Sequence, residues 1–217
     1  MKRTIPKLIY LAALSCLLAA SLHAGNNKQK KTAWNWMTAN LDDAITTTRT
    51  VWENPELGEL EYKSSEALAV YLERNGFTIE RGVADMPTAW VATFSNGEGP
   101  SVGYLAEYDA LPGLSQEAGN PNQTPIEVGG AGHGCGHSLL GVGSAYAALG
   151  VKAAMIKHNI PGSVKVYGTP AEETLVGKVY MVRDGLFDGL DIALGWHPGG
   201  SNRVSYNSSL AMTSIKF

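Results

Sequence analysis

The chain has few cysteines, little charge and only a short N-terminal apolar run. Of its 217 residues, 17% are charged, and the formal net charge at neutral pH is −3. A short basic stretch at residues 28–31 is typical of a solvated linker. The sequence therefore has no basic patch of the kind that would indicate a nucleic-acid partner. The N-terminal apolar run, Leu8 to Leu22, has about 15 residues, whereas about 20 are needed to span a bilayer. The hydrophobic fraction of 44% suffices for one globular domain with a sizeable core.

The first 24 residues have the layout of a secretory signal peptide. Lys2, Arg3 and Lys7 precede the apolar run, and Ala24 ends a short segment suited to cleavage. We predict export to the periplasm or the medium, with cleavage near Ala24. The alternative is lipid attachment at Cys16, because the three residues before it loosely resemble a lipoprotein processing site. The apolar run continues past Cys16, which favours ordinary cleavage.

Cleavage at that point would leave Cys135 as the single cysteine of the mature chain. An internal disulfide is then excluded, although an exported protein would be permitted one. A lone thiol in an oxidising compartment is a liability unless a bound metal masks it. We expect residues 25–33 to form a linker and residues 34–217 to form one domain.

Hydrophobic periodicity predicts helices that alternate with strands. Such alternation indicates α/β layers around a largely parallel sheet. The helices are expected at Trp34–Trp52, Ser64–Asn75 (with Ser65 as its cap), Leu139–His158 and Lys178–Asp184. The strands are expected at Phe77–Arg81, Ala89–Phe94, Val102–Glu107, Val164–Tyr167 and Ile192–Gly195. Residues 109–136 form one long irregular loop, and a loop of that length in a compact domain is usually functional.

Polar clusters follow several of these predicted strands. In α/β sheets, binding and catalytic sites form in the loops beyond the carboxyl ends of the strands. Scattered surface residues have no reason to occur at that place repeatedly. The clusters are Glu107-Tyr108-Asp109, His133 to His137, Glu172-Glu173 and His197.

The residue types in these clusters suit a metal site. Cysteine sulfur and histidine nitrogen are natural ligands of zinc-like ions, and Cys135 and His137 lie two apart on a glycine-rich loop. Of the adjacent Glu172 and Glu173, one carboxylate can bind metal while the other acts as a base. His197 would add a second imidazole.

Each cluster also has a plainer interpretation. The glutamate pair can be a solvated turn, and His197 can be a hydrogen-bonded loop residue. Asp109 can cap the loop or orient a ligating histidine. We interpret His133 as a structural residue of the loop and His158 as a structural residue at a helix end.

Together the motifs resemble a known family. The set spans residues 35–217 and resembles the two-metal amidohydrolases and aminoacylases of the carboxypeptidase G2-like superfamily, over the N-terminal half of their chains. That resemblance implies a three-layer zinc-peptidase-like catalytic domain with a mixed sheet, ending before the lid and dimerisation domain. The motifs, in chain order, are residues 107–116, residues 132–137, Pro170-Ala171-Glu172-Glu173, Asp184-Gly185-Leu186-Phe187 and Trp196-His197-Pro198.

The resemblance also implies roles for individual residues. Glu172 would be the general base, with Asp109 beside it in the catalytic machinery. Glu107 occupies a position where many members carry a histidine, so it is not a clear ligand. The ligands of two divalent ions, Zn or Mn, would include Cys135, His137, Glu173 and His197.

The resemblance further implies a small-molecule substrate with an amide bond, such as an N-acyl amino acid or an aminobenzoyl-glutamate-like compound. The full-length protein would form a homodimer through the lid. Because a late metal-binding histidine and the lid would follow residue 217, we expect the chain as given to be an inactive fragment. Two alternatives stay open: a metal- or ligand-binding fragment without catalysis, and a hydrolase with Cys135 as its nucleophile.

Overall fold

The computed structural model describes residues 27–201 and 203–204. The predicted signal peptide and Cys16 lie outside the described residues, so export stays a prediction. The helices are α1 (Asn27–Ala39), α2 (Leu41–Trp52), α3 (Tyr62–Arg74), α4 (His137–His158) and α5 (Gly177–Arg183), with a 3-10 turn at Val83–Asp85. The strands are β1 (Thr78–Arg81), β2 (Trp90–Ser95), β3 (Ser101–Ala106), β4 (Ser163–Gly168) and β5 (Ile192–Leu194).

The strands form one mixed sheet in the order β1-β2-β4-β3-β5. β3 pairs in parallel with both β4 and β5, whereas β2 pairs antiparallel with β1 and β4. The predicted α/β class with a mixed sheet is confirmed, although only the β4-β3-β5 half is parallel. In that half, the carboxyl ends of three strands meet at one edge of the sheet.

The central helix α4 packs against the sheet and against the N-terminal helices. It is rich in alanine and glycine, which lets neighbouring groups approach closely: a Cβ at Gly150 would lie 2.9 Å from Met37 of α1. Within the described residues, α4 alone has the length and mean hydropathy of a membrane span. More than half of its apolar stretch is buried inside the protein, as in the core helix of a globular domain.

The predicted helix Trp34–Trp52 is wrong as a single element, since the structure has two helices separated at Asn40. The backbone of Asn40 leaves the helical region, and its side-chain amide donates a hydrogen bond to the carbonyl of Trp36 at 2.7 Å. The first helix begins at Asn27, inside the segment predicted to be a linker. Helix α1 packs on α4, and Thr32 is hydrogen bonded to His158 at 2.8 Å.

The predicted cap at Ser65 is also wrong. Helix α3 begins at Tyr62, and the carboxylate of Glu56 accepts the backbone N–H groups of Lys63 and Ser64 at its first turn. Anionic oxygens suit a helix N-terminus because the first N–H groups have no partner within the helix. Ser65 instead donates its hydroxyl to the buried carbonyl of Thr88 at 2.6 Å.

Trp90 of β2 packs closely against Gly168 of β4. These residues are register partners, and Trp90 is 1% exposed. A Cβ at Gly168 would overlap the indole ring. We expect Gly168→Ala to lower the free energy of unfolding by about 1–3 kcal/mol, the usual cost of overpacking. Chemical denaturation measures this change.

The matched control is Gly199→Ala, because nothing lies within 4 Å of a Cβ at that position. The control is expected to stay within about 0.5 kcal/mol of the parent, as is usual for surface substitutions. A Gly168→Ala protein as stable as the control would contradict the packing argument.

Candidate metal centre

The polar clusters predicted from the sequence come together at the carboxyl edge of the parallel strands. Glu107 and Asp109 follow β3, Glu172 and Glu173 follow β4, and His197 follows β5. The long loop returns to the same edge and delivers Cys135 and His137, with His137 as the first residue of α4. Side chains from four separate segments therefore face one another.

A buried pair, His137 and Asp109, forms the base of the site. Their exposures are 0% and 1%. The imidazole Nδ1 lies 2.9 Å from Asp109 Oδ1 and 2.9 Å from its backbone carbonyl oxygen. Nδ1 therefore carries the proton, and the lone pair of Nε2 points away from Asp109. This is the orienting role that the sequence allowed for Asp109.

Hydrogen bonding at this pair outweighs the effect of burial on both groups. Burial alone would raise the pKa of Asp109, but the hydrogen bonds from His137 and from the backbone N–H of Glu173 lower it below the usual value. Burial would lower the pKa of His137, but the hydrogen bond to Asp109 and the charges of Asp109, Glu107 and Glu173 raise it. The pair thus favours an ionised aspartate beside a cationic or metal-bound imidazole.

His137 Nε2 faces three carboxylates. It lies 3.3 Å from Glu107 Oε2, 3.6 Å from Glu172 Oε2 and 3.9 Å from Glu173 Oε1. Nε2 and Glu173 Oε1 are both buried and have no hydrogen-bond partner. A lone pair that faces carboxylate oxygens at these distances needs a cation between them, either a proton on the imidazole or a metal ion.

Cys135 belongs to the donors of the centre, and His197 reaches the centre through its contact with Cys135. Cys135 Sγ lies 3.1 Å from His197 Nε2, and its donor atom falls within 4.8 Å of those of His137 and Glu173. A second triad of donors within the same distance consists of Glu107, His137 and Glu172. The two triads share His137, whose single Nε2 lone pair binds one ion, so they are neighbouring parts of one centre.

These residues fit divalent metal. Two ligands at zinc bond lengths in a tetrahedral arrangement are about 3.3 Å apart, close to the spacing around His137 Nε2. Four carboxylates converge here, and among the described residues only the ammonium of Lys178 pairs with one of them, at 2.7 Å from Glu107. Thiolate and imidazole favour zinc, while the carboxylates suit manganese.

The short Cys135–His197 contact could also suit a thiolate nucleophile with an imidazole base. Burial, followed by the negative charges of Glu173, Glu172 and Glu107, raises the pKa of the Cys135 thiol to about 11. Reactive cysteines lie in electropositive surroundings that lower the thiol pKa. The electrostatics therefore disfavour the cysteine-nucleophile alternative in the metal-free protein and favour a thiol that ionises when metal binds.

Two residues at the centre were missed by sequence reasoning. Glu107 was not a clear ligand, yet its carboxylate belongs to the second donor triad. Lys178 was predicted only as part of a helix, yet it neutralises Glu107. The position of Glu107 directly after β3 was a usable signal, whereas nothing in the local sequence marks Lys178.

The other two histidines in the described residues hydrogen bond elsewhere. His133 Nε2 lies 3.0 Å from the carbonyl oxygen of Val51, and His158 contacts Thr32. Both contacts agree with the structural roles predicted for these residues. They leave His137 and His197 as the imidazoles of the centre.

The family model of Peptidase family M20/M25/M40 matches residues 103–208, the segment that carries every donor of the centre. A p-aminobenzoyl-glutamate hydrolase component from Escherichia coli (strain K12) is 45% identical over 166 residues, which are 73% of this chain. The chain belongs to Peptidase family M20/M25/M40. A Homo sapiens Xaa-Arg dipeptidase is 34% identical over 169 residues, or 71% of the chain.

Solved structures agree with the fold of this family member. A putative aminohydrolase of methicillin-resistant Staphylococcus aureus superposes with a TM-score of 0.63 at 25% identity, covering 79% of this chain and 42% of that one. A Bacillus subtilis protein described as a dinuclear metal binding peptidase of the M20 family has a TM-score of 0.63 at 22% identity, covering 75% and 44%. The chain spans about a third of the two curated relatives, 34% and 35%.

The buried His137–Asp109 pair predicts how stability depends on pH without metal. Because folding raises the pKa of His137 above 6.5, protonation of His137 stabilises the folded chain, and this stabilisation is fully present below pH 6.5. It is lost as the pH rises through the pKa of His137 in the folded state. We expect the free energy of unfolding of the metal-free chain to fall over that window, with a smaller fall in Asp109→Asn. Zinc affinity should rise over the same window, because metal binds deprotonated Nε2. Denaturant titrations from about pH 6 to 9 test this, and a metal-free profile that is flat or rises with pH would refute it.

Proposed function

We propose that this chain carries the metal centre and general base of a metal-dependent amidohydrolase. The observation that supports it best is the pair of unpartnered buried atoms, His137 Nε2 and Glu173 Oε1, which face a common centre beside Glu172. The metal ligands in this proposal are Cys135, His137, Glu173 and His197, as the resemblance implies. Membership of a peptidase family supports a hydrolase that acts on an amide bond.

When bound, two divalent ions would supply Lewis acidity to the attacking water and to the substrate carbonyl. Glu172 accepts a proton from the water, and the water oxygen forms a bond to the amide carbon. The C–N bond then breaks, and Glu172 returns the proton to the departing nitrogen. Its side chain suits this task because it is 30% exposed, whereas the side chain of Glu173 is 19% exposed.

The proposed substrates are N-acyl amino acids and aminobenzoyl-glutamate-like amides. Relatives of this chain are named as a p-aminobenzoyl-glutamate hydrolase component, an Xaa-Arg dipeptidase and an N-acetyldiaminopimelate deacetylase. The compounds in these names all have an amide bond next to an amino-acid carboxylate. We also propose export to the periplasm or the medium, and a homodimer of the full-length protein through its lid.

The proposal is tested by metal-dependent hydrolysis of p-aminobenzoyl-glutamate and of an N-acetyl amino acid. The assay uses this chain and the longer polypeptide that results if the reading frame continues past residue 217. Chelation should abolish hydrolysis in whichever of the two polypeptides hydrolyses the amide, called the active polypeptide below. Added zinc or manganese should restore the hydrolysis. Hydrolysis that persists after exhaustive chelation, and that thiol alkylation stops, would refute the metal mechanism and support Cys135 as nucleophile.

A further inference from the structure

Glu61 is a fully buried carboxyl group outside the metal centre. It is 0% exposed and forms no salt bridge within the part of the chain that the structure describes. Burial raises its pKa above the usual value, although hydrogen bonds to it act in the opposite direction. Burying an unpaired carboxyl is costly, so its position calls for an explanation from the contacts that it makes.

The main contact of Glu61 is with the loop that carries the catalytic glutamate. Glu61 Oε1 accepts the backbone N–H of Ala171 at 2.7 Å, across 110 positions of sequence. Ala171 is itself fully buried and directly precedes Glu172. The carboxyl of Glu61 therefore holds the backbone one residue before the proposed general base.

The backbone at Ala171 needs such support. Its φ of +54° lies in the left-handed region, which a residue with a Cβ adopts at a cost of about 1–3 kcal/mol. Close packing also restricts it, since a Cβ at Gly58 would lie 3.0 Å from Ala171 Cα. A strained conformation persists only where its surroundings over-determine it, and here the turn sets the directions of Glu172 and Glu173.

A second buried carboxylate holds the other end of the same loop. Asp109 Oδ2 accepts the backbone N–H of Glu173 at 2.9 Å, while Asp109 Oδ1 orients His137. The segment from Ala171 to Glu173 is thus tied at one end to the metal-binding histidine, through Asp109. Its other end is tied to Glu61.

The position of Glu61 is in turn set by Thr88. The Thr88 hydroxyl donates to Glu61 Oε2 at 3.0 Å, and the Thr88 carbonyl accepts the hydroxyls of Ser65 and Tyr108, each at 2.6 Å. All of these groups are buried. A satisfied polar network of this kind is rigid, and it specifies one geometry for the groups that it contacts.

We propose that Glu61 is a positioning residue that holds the left-handed turn at Ala171 and thereby aims Glu172 and Glu173 into the metal centre. The inference rests on the proposed function, because it assigns Glu61 a role in that same site. Glu61 touches neither substrate nor metal, and it acts through the backbone of the loop.

Two substitutions separate the hydrogen bond from the bulk of the side chain. Glu61→Met keeps the length but removes the acceptor for the Ala171 N–H. Glu61→Gln keeps a carbonyl oxygen for that N–H and has an amide that can donate to Thr88. The control is Glu56→Met, which removes the cap of helix α3 and should cost about 0.5–2 kcal/mol without touching Ala171.

The first readout is Co²⁺ binding, titrated in this chain through the absorption of the thiolate–cobalt bond at Cys135. We expect Glu61→Met to bind Co²⁺ about 10–100-fold more weakly, the usual effect of losing support behind a metal ligand. The Co²⁺ affinities of Glu61→Gln and Glu56→Met should stay within about 3-fold of the parental affinity, a much smaller change than the loss expected for Glu61→Met. Parent-like Co²⁺ affinity in folded Glu61→Met would overturn the proposal.

A double variant distinguishes positioning from general destabilisation. Glycine adopts positive φ without the steric cost of alanine, so Glu61→Met combined with Ala171→Gly should regain part of the lost Co²⁺ affinity. A merely structural role for Glu61 predicts no such recovery. If Glu61→Met fails to fold, Thr88→Val takes its place, because it removes only the hydroxyl donor to Glu61. A several-fold loss of Co²⁺ affinity is then expected, and unchanged affinity counts against positioning.

The second readout is kinetic and is made in the active polypeptide. Glu61→Met should lower kcat for amide hydrolysis while KM changes by less than about 3-fold, because the base is misplaced rather than the substrate contacts. If the parent chain binds Co²⁺ but neither it nor the longer polypeptide hydrolyses an amide, the proposed function alone is refuted, and the Co²⁺ titrations still decide the role of Glu61. A parent that binds no Co²⁺ would overturn both.

Discussion

In the polypeptide that hydrolyses the amide, replacing Glu172 by glutamine is expected to lower kcat by about 10²–10⁴-fold, the usual contribution of a general base. Glutamine keeps the shape of the side chain but cannot accept the proton from the attacking water. Because Cys135, His137, Glu173 and His197 remain, metal affinity should stay within a few fold of the parent. Steady-state kinetics and a metal titration on the same preparation measure both quantities.

Glu98→Gln is the matched control, since Glu98 is exposed in the turn that precedes β3, at the opposite end of that strand from the centre. It should leave both kcat and metal affinity unchanged. A Glu172→Gln enzyme that keeps the parental rate would show that the proposed base is wrong. A large loss of metal affinity would instead identify Glu172 as a ligand, as its place in the second donor triad allows.

The His137→Ala substitution is expected to weaken metal binding by more than about 100-fold, beyond the loss seen when only an outer partner of a ligand is removed. His137 is the one residue common to both donor triads. Its loss also leaves buried Asp109 Oδ1 without a donor, which should lower the free energy of unfolding by about 1–3 kcal/mol. Competition with a chromophoric chelator measures the metal affinity.

The control for this experiment is His158→Ala. His158 lies at the end of α4 and contacts Thr32 rather than the centre. The His158→Ala variant should bind metal like the parent. It therefore separates the effect of losing a metal ligand from the effect of losing any histidine. A His137→Ala chain that binds zinc as tightly as the control would refute the assignment of the centre.

Local pattern predicted the order of most elements and failed where a side-chain hydrogen bond decided a boundary. The strands and helix α4 lie close to their predicted bounds, because alternation and apolar runs are properties of adjacent residues. The break at Asn40 and the cap from Glu56 were not predicted. In both cases a side chain forms a hydrogen bond that competes with the pattern of the neighbouring residues.

The residue types at the centre were readable from the sequence, but their partners were not. Cys135, His137, Glu172, Glu173 and His197 stand out because thiol, imidazole and paired carboxylates follow predicted strands. The prediction that these residues meet at one edge of the sheet requires only that β3, β4 and β5 run parallel. It does not reveal which donor atoms point inward.

The sequence by itself determined the fold class, the family resemblance and the chemical classes available at the carboxyl edge of the sheet. Only the tertiary structure decided that Glu107 joins the donors with Lys178 on its other oxygen. It also placed the buried carboxyl of Glu61 behind the strained turn at Ala171. The reason is physical: residue type and periodicity are local, whereas these contacts join segments 71 and 110 positions apart that meet only when the sheet and its helices pack.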